Sequence, residues 1–247
     1  NDELSEIYLF DWANSFSSKT TPLAERFSDN FDWTFHFEKK EERGRTTIDT
    51  VRNENGQQLS WKRGEEVDIV VVNLSKPLLP GESIDLDISL SVRLPDARFT
   101  RFGYTDDGRF LLRYWHLVPA VYNGKWQVYS NTNTEDLYML PTDYEITLKA
   151  HPRYSVATDL EIASTLEEDA YIRHSLYGKN RMNLRLFIEP RQNFEHVVTD
   201  QFEVVTDLLD NKVNPPSRAL FIDRISRFLE EKIGPYPFEK MLVSEAD

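Results

Sequence analysis

Five histidines are the first residues to test for chemistry in this 247-residue chain: His36, His116, His151, His174 and His196. No two stand four apart, the spacing that sets two imidazoles on one helical face for zinc, and no His-Glu-x-x-His run occurs. Each is expected to be a surface or partly buried histidine; His151 precedes a proline at a strand end, and His174 sits within a strand. Cysteine is absent, which excludes thiol nucleophiles, thiolate metal sites and disulfides. There is no Gly-rich phosphate loop and no Gly-x-Ser-x-Gly elbow. Two acidic groups invite a cation, Asp85 with Asp87 and Asp106-Asp107-Gly108. Neither supplies enough oxygen ligands at loop spacing, so no specific calcium site is expected, and the first pair reads as decoration of a wet strand face. The aromatics Tyr114, Trp115, Tyr122, Trp126, Tyr129 and Tyr138 have two readings: platforms that stack on peptide or carbohydrate, or packing between sheets. From its residues alone, the chain assembles no catalytic constellation.

Composition bounds what can position such groups. Hydrophobic residues make up 40%, aromatics 13% and charged residues 29%, enough apolar matter for a core and too much for a disordered chain. The net charge of -13 repels phosphates, so nucleic acid is not an expected partner; the acidic surface serves solubility or a basic partner. No apolar run is long enough to cross a bilayer. The first residues already read like strand, with no initiator Met and no signal peptide, which suggests a processed or trimmed chain. The lack of cysteine does not identify a compartment; a secreted or periplasmic location is favoured over a cytoplasmic one.

Alternation is the dominant pattern. Leu4 to Phe10 reads as strand. Thr21 then Pro22 reads as a helix start, with Leu23, Phe27 and Phe31 following at spacings of four. Glu38 to Arg45 is a charged, solvated loop or strand end. Asn55-Gly56 marks a hairpin between Thr46–Arg52 and Gln58–Lys62. The apolar run Val67 to Leu74 predicts a central strand covered on both faces, and Pro80-Gly81 a type II turn. Ile84, Leu86, Ile88, Leu90, Val92 and Leu94 alternate with polar residues over one long strand. Further strand sets are Tyr144, Ile146, Leu148 and Ala150; Leu160 and Ile162; and Met182, Leu184, Leu186 and Ile188, with a turn at Gly178-Lys179-Asn180 before the last. Phe202 to Leu208 can extend the sheets. After Asn214-Pro215-Pro216 the period changes: Ser217 to Lys232 predicts a helix with a stripe of Phe221, Ile225, Phe228 and Leu229, stopped by Gly234-Pro235 and followed by a strand at Met241 to Val243. Many short strands between turn signals predict a mostly-β fold, an antiparallel multi-sheet sandwich with a short α+β segment at the C-terminal end.

Three stretches carry a family resemblance: Pro77 to Leu94, PLLPGESIDLDISLSVRL; Trp115 to Pro152, with Trp115 and Pro119, Val121-Tyr122, Gly124-Lys125-Trp126, Glu135 to Tyr138, Asp143-Tyr144 and His151-Pro152; and Ile233 to Val243, IGPYPFEKMLV. In order and spacing they resemble the M1 family of zinc aminopeptidases, the gluzincins of the aminopeptidase N and leukotriene A4 hydrolase group. The resemblance implies a saddle-like N-terminal β-sandwich domain over residues 1–198. Residues 199–247 would be a linker strand, helix and first strand of a thermolysin-like catalytic domain. The Gly-x-Met-Glu-Asn and His-Glu-x-x-His motifs would lie in the rest of the parent. This chain would then hold no cofactor and cleave nothing alone; zinc and the peptide substrate belong to the parent. Its role would be to buttress the catalytic domain and line the substrate cleft. Glu135 is the one acidic residue that position offers for the cleft, with a solvent-facing loop glutamate beside Asp136 as the plainer reading. The family's Ala-Arg-x-x-x-Pro-Cys-x-Asp-x-Pro signature is replaced by Tyr138-Met139-Leu140-Pro141, which leaves an inactive M1-like pseudoenzyme as one alternative. A free-standing β-sandwich binding peptide or carbohydrate is the other. The remainder of the catalytic domain is the expected partner of the helix stripe; a dimer through that helix is the other way to cover it.

Overall fold

A computed structural model describes residues 2–132, 137–190, 194–200, 202–208 and 215–244. Strands hold 45% of the residues and helices 15%, so the fold is mostly β and built from several antiparallel sheets, as the alternation predicts. The chain divides into two compact units, Asn1–Thr105 with Tyr114–Pro141, and Asp106–Arg113 with Thr142–Asp247.

The first unit is organised on the strand Ile69–Leu78, which lies between Trp61–Arg63 and Leu4–Phe10. Its residues Ile69, Val70, Val71 and Val72 are all buried, because alternate side chains serve two different cores. Ile69 and Val71 join Phe10, Trp12, Tyr114, Val118, Ala120, Leu137 and Met139. Val70 and Val72 join Leu9, Ile48, Val51 and Leu59, covered by Leu86, Ile88 and Leu90 of the alternating strand. Each fully buried valine contributes about 1.5–3 kcal/mol, so this four-residue run is a large share of the unit's stability. The alternating strand spans Leu86–Arg93 and pairs antiparallel with Arg45–Asn53. Ahead of it, Leu79 accepts from the Glu82 amide across Pro80-Gly81, with Gly81 at φ 87, the geometry a type II turn requires.

Several expectations are corrected here. The first helix is capped as expected, Thr21 Oγ1 accepting from the Ala24 amide, but it spans Pro22–Asp29 and leaves Phe31 outside at φ 60. Spacing of four is no guide once Asn30 has closed the helix. The Asn55-Gly56 turn forms, yet the hairpin is not propagated: after one bridge from Arg52 to Gln58, Trp61–Arg63 departs to pair with the central strand. Leu86–Arg93 pairs along the opposite edge of Arg45–Asn53, where Arg52 faces Asp87. The charged run is not wholly solvated, since the Glu38 carboxylate is buried between Lys19 and Arg43.

In the second unit, Thr142–Ala150 and Glu161–Glu168 flank Tyr171–Arg181. Gly178-Lys179-Asn180 is not a turn but part of that central strand. The register shifts there, Thr142 facing Arg181 and Tyr144 facing Gly178, and Asn180 takes φ 57. Gly, Lys and Asn are turn residues, but a bulge draws on the same left-handed tolerance. Phe110–Arg113 and Ser155–Thr158 flank Arg185–Glu189; Met182 lies outside that strand and is exposed, while Leu184 and Leu186 are buried. His174, expected at most partly buried, is buried in the central strand. The third sheet joins Glu195–Val198 and Glu203–Thr206 antiparallel, then Lys240–Val243 parallel to Glu203–Thr206, with the helix Pro215–Ile233 between the two parallel strands in sequence. That is a β-α-β unit, a different grammar from the antiparallel sheets before it.

Candidate functional site

The segment on either side of residues 133–136 is held by a buried polar network in the first unit. The turn Trp12–Phe16 follows Asp11 at the end of the first strand. Asp11 accepts from Thr46 Oγ1 at 2.6 Å and from Arg63. Asn14 Nδ2 donates to the Val67 carbonyl, and its Oδ1 accepts from the Thr46 amide. Asp68, 0% exposed, accepts from Ser130 Oγ at 2.8 Å and from the Asn131 amide at 2.7 Å. The Asn131 side chain then donates to Ser15 Oγ at 3.1 Å. On the far side, Leu137 and Met139 are buried in the aromatic core. The stems of the segment carrying Glu135 are therefore fixed, one by hydrogen bonds and one by packing. Glu135 itself lies outside the described residues.

Burial pushes the Asp68 carboxyl above its ordinary value, against the pull of the Asn131 and Ser130 hydrogen bonds; the Asp11 charge adds to the rise. The folded state therefore holds this proton to higher pH than the unfolded chain, whose aspartates titrate near 3.9. Asp68 contributes stability that is present below that value and is lost as pH rises through the folded pKa. Wild type measured against Asp68→Asn should show it: the difference in unfolding free energy shifts against wild type as pH rises from about 4. A difference flat in pH would contradict the assignment.

The six aromatics separate. Tyr114 is buried edge-on to Trp12, with ring centroids 5.0 Å apart, and Trp126 packs on Tyr8 and Tyr122. Trp115 is half-buried beside His116, whose ring burial pushes below the usual histidine value. These are packing groups. Tyr129 packs on Phe10 and receives the Tyr138 amide on its hydroxyl, while the Tyr138 ring is exposed. Trp115 and Trp126 are thus half-buried, each packed against a neighbouring ring.

In the second unit, the stretch Tyr236 to Val243 is clasped by two arginines and reaches out with a lysine of its own. Arg181 lies 3.7 Å over the Phe238 ring. Arg185 donates to the Leu242 carbonyl at 2.8 Å and pairs with Asp159. Lys240, buried, donates to the Leu160 carbonyl at 3.2 Å beside Glu161 and Glu203. Burial raises the Asp159 carboxyl in spite of Arg185. Sequence reasoning identified the IGPYPFEKMLV stretch but none of these anchors. The helix before it docks through Ile222 and Ser226 and leaves its apolar stripe outward, with Phe221 65% exposed and Ile225, Phe228 and Leu229 exposed beside it.

Among the described residues no three histidine, aspartate or glutamate side chains come together as metal ligands. Asp85 and Asp87 are exposed on the strand edge and lead-in.

No protein-family model and no curated protein sequence matches the chain. Solved structures do. The M1 zinc metallopeptidase from Deinococcus radiodurans, in a mutant bound to a Tyr-Ser-Ala substrate, aligns with a TM-score of 0.57 at 15% identity, over 99% of this chain and 49% of that one. Another structure of the M1 zinc metallopeptidase from that organism gives 0.56 at 17% identity, again over 99% and 49%. A two-domain M1 zinc metallopeptidase mutant bound to L-tryptophan gives 0.55 at 17%, over 98% and 49%. The structural neighbours thus come from the family that the sequence stretches resemble. At these identities the likeness is one of fold, and the chain spans about half the length of the structures it matches.

Proposed function

We propose that the chain is the noncatalytic N-terminal region of an M1-type zinc metallopeptidase, an aminopeptidase removing N-terminal residues from peptides. One observation carries this reading: 99% of the chain aligns on 49% of an M1 zinc metallopeptidase. The β-α-β unit formed by Glu203–Thr206, the helix and Lys240–Val243 fits the opening of the catalytic domain, with the domain division read at residue 198. The outward stripe of the Pro215–Ile233 helix fits a surface that the remainder of that domain covers. Leaving four such side chains wet forfeits about 1.5–3 kcal/mol each. Zinc and the general base belong, in this reading, to the parent beyond these residues; what this chain supplies is a rigid wall. Glu135, in the sequence between Asn131 and Leu137, would in this reading be the acidic residue that meets a substrate's free amine.

Activity assays on the parent and on this chain test the reading. The parent should release p-nitroaniline from alanine p-nitroanilide and lose that activity to a chelator, while this chain alone releases none. Glu135→Gln in the parent should raise KM about tenfold or more, the loss of one partner of a charge pair. An unchanged KM would remove the cleft role of Glu135 and leave the family reading standing; an inert parent with intact fold would make it a pseudoenzyme.

A further inference from the structure

The helix Pro22–Asp29 ends with the Phe31 amide bonded to the Ser28 carbonyl and the Asp32 amide bonded to the Phe27 carbonyl. Phe31 occupies the left-handed position that glycine usually fills after a helix, at φ 60. A bulky side chain there is strained, and nothing in the fold repays it, because the ring is 83% exposed. Two more rings stand out beside it in sequence, Phe37 at 78% and Trp33 at 47% exposed. His36 links those two, 5.7 Å from Trp33 and 5.1 Å from Phe37. Phe35 alone turns inward, packed on Phe16, Phe27 and Phe99. The short helix Thr34–Phe37 is thereby fixed to the core by one ring while its neighbours are held in solvent. Strain together with exposed apolar area points to a partner.

Charge decides which partner. Asp29 precedes the rings, Asp32 stands between Phe31 and Trp33, and Lys39, Lys40 and Glu41 follow, while the Glu38 carboxylate is buried against Lys19 and Arg43; the exposed charges of the patch are near balance while the chain carries -13. An anionic surface would repel the chain, whereas a zwitterionic one carries no such penalty. Aromatic rings with lysines at their rim suit the boundary between acyl chains and headgroups. We propose that Phe31, Trp33 and Phe37 seat the chain on a zwitterionic lipid surface, with Lys39 and Lys40 at the headgroup phosphates.

Sedimentation with phosphatidylcholine vesicles, alone and with added phosphatidylserine, tests this. The chain should partition onto phosphatidylcholine and more weakly as phosphatidylserine is added. The double substitution Trp33→Ser with Phe37→Ser should lower the partition coefficient about tenfold or more. Phe31→Gly separates binding from folding: it should raise the thermal midpoint by relieving the strained backbone and still weaken partitioning. No binding to phosphatidylcholine would overturn the proposal, as would binding that the double variant retains or that appears only with phosphatidylserine. A concentration-dependent dimer abolished by the double variant would make a second copy the occupant instead.

Discussion

Gly103→Ala is expected to be the most damaging single methyl that can be added to the first unit. A Cβ at Gly103 would lie 1.9 Å from the Pro95 carbonyl oxygen and 2.8 Å from its carbon, and the backbone there has φ 131. Both the space and the dihedral are open to glycine alone. The chain cannot step aside cheaply. Tyr104 donates to the Pro95 carbonyl at 3.0 Å and the Ala97 amide donates to the Tyr104 carbonyl at 2.8 Å, so moving Gly103 breaks both. Phe99 within the preceding turn and Phe102 next to Gly103 are both buried, pack on Phe35 and Phe16, and would be displaced with it. Two hydrogen bonds at about 1 kcal/mol each, with strain and lost packing, give a cost on the order of 4 kcal/mol. That is a large share of the about 5–15 kcal/mol that holds a domain folded. Denaturant titration should show a strongly lowered midpoint; a loss under about 1 kcal/mol would mean that the backbone around Pro95 is far softer than its contacts imply.

The second large effect is at Asp68. Asp68→Ala leaves the buried Asn131 amide and the half-buried Ser130 hydroxyl without their acceptor. Each buried donor stranded in this way costs about 1–3 kcal/mol, so about 3 kcal/mol or more is expected in total. The damage should be local before it is global. Hydrogen exchange at Asn131 should accelerate, while Ile69 to Val72, held in the sheet, keep their protection. Asp68→Asn keeps one carbonyl oxygen for the Asn131 amide and should lose less. If both substitutions leave Asn131 protected, the network does not hold the stem that leads to Glu135.

Why some of this was legible in the sequence, and some not, follows from the range of the interactions. The Thr21–Pro22 helix start and the alternation of Leu86–Arg93 depend on neighbours within a few residues, and both read directly. The two-faced burial of Ile69 to Val72 was legible because an unbroken apolar run leaves no face for water. Phe31 misled because periodicity does not report where a helix closes, and Gly178 to Asn180 misled because bulges and turns use the same residue types. The polar anchors were hidden: Asp11 meets Thr46 across 35 positions, Asp68 meets Asn131 across 63, and Lys240 meets Leu160 across 80. No local pattern announces such pairs. Glu135 is nominated only through the family resemblance; no local pattern in the sequence marks it. The Phe221, Ile225, Phe228 and Leu229 stripe was legible as a helical face in need of cover, but whether the β domain, a second chain or nothing in this chain covers it was not; the structure leaves it exposed.

The central claim, that these residues are the front part of an M1-type metallopeptidase, is tested most directly by sequencing the transcript downstream of the codon for Asp247. The account predicts an open frame that continues through a Gly-x-Met-Glu-Asn-like motif and His-Glu-x-x-His to a further glutamate, the ligand set this chain lacks. A frame that ends within a few codons, or continues into a sequence with none of these motifs, would contradict it.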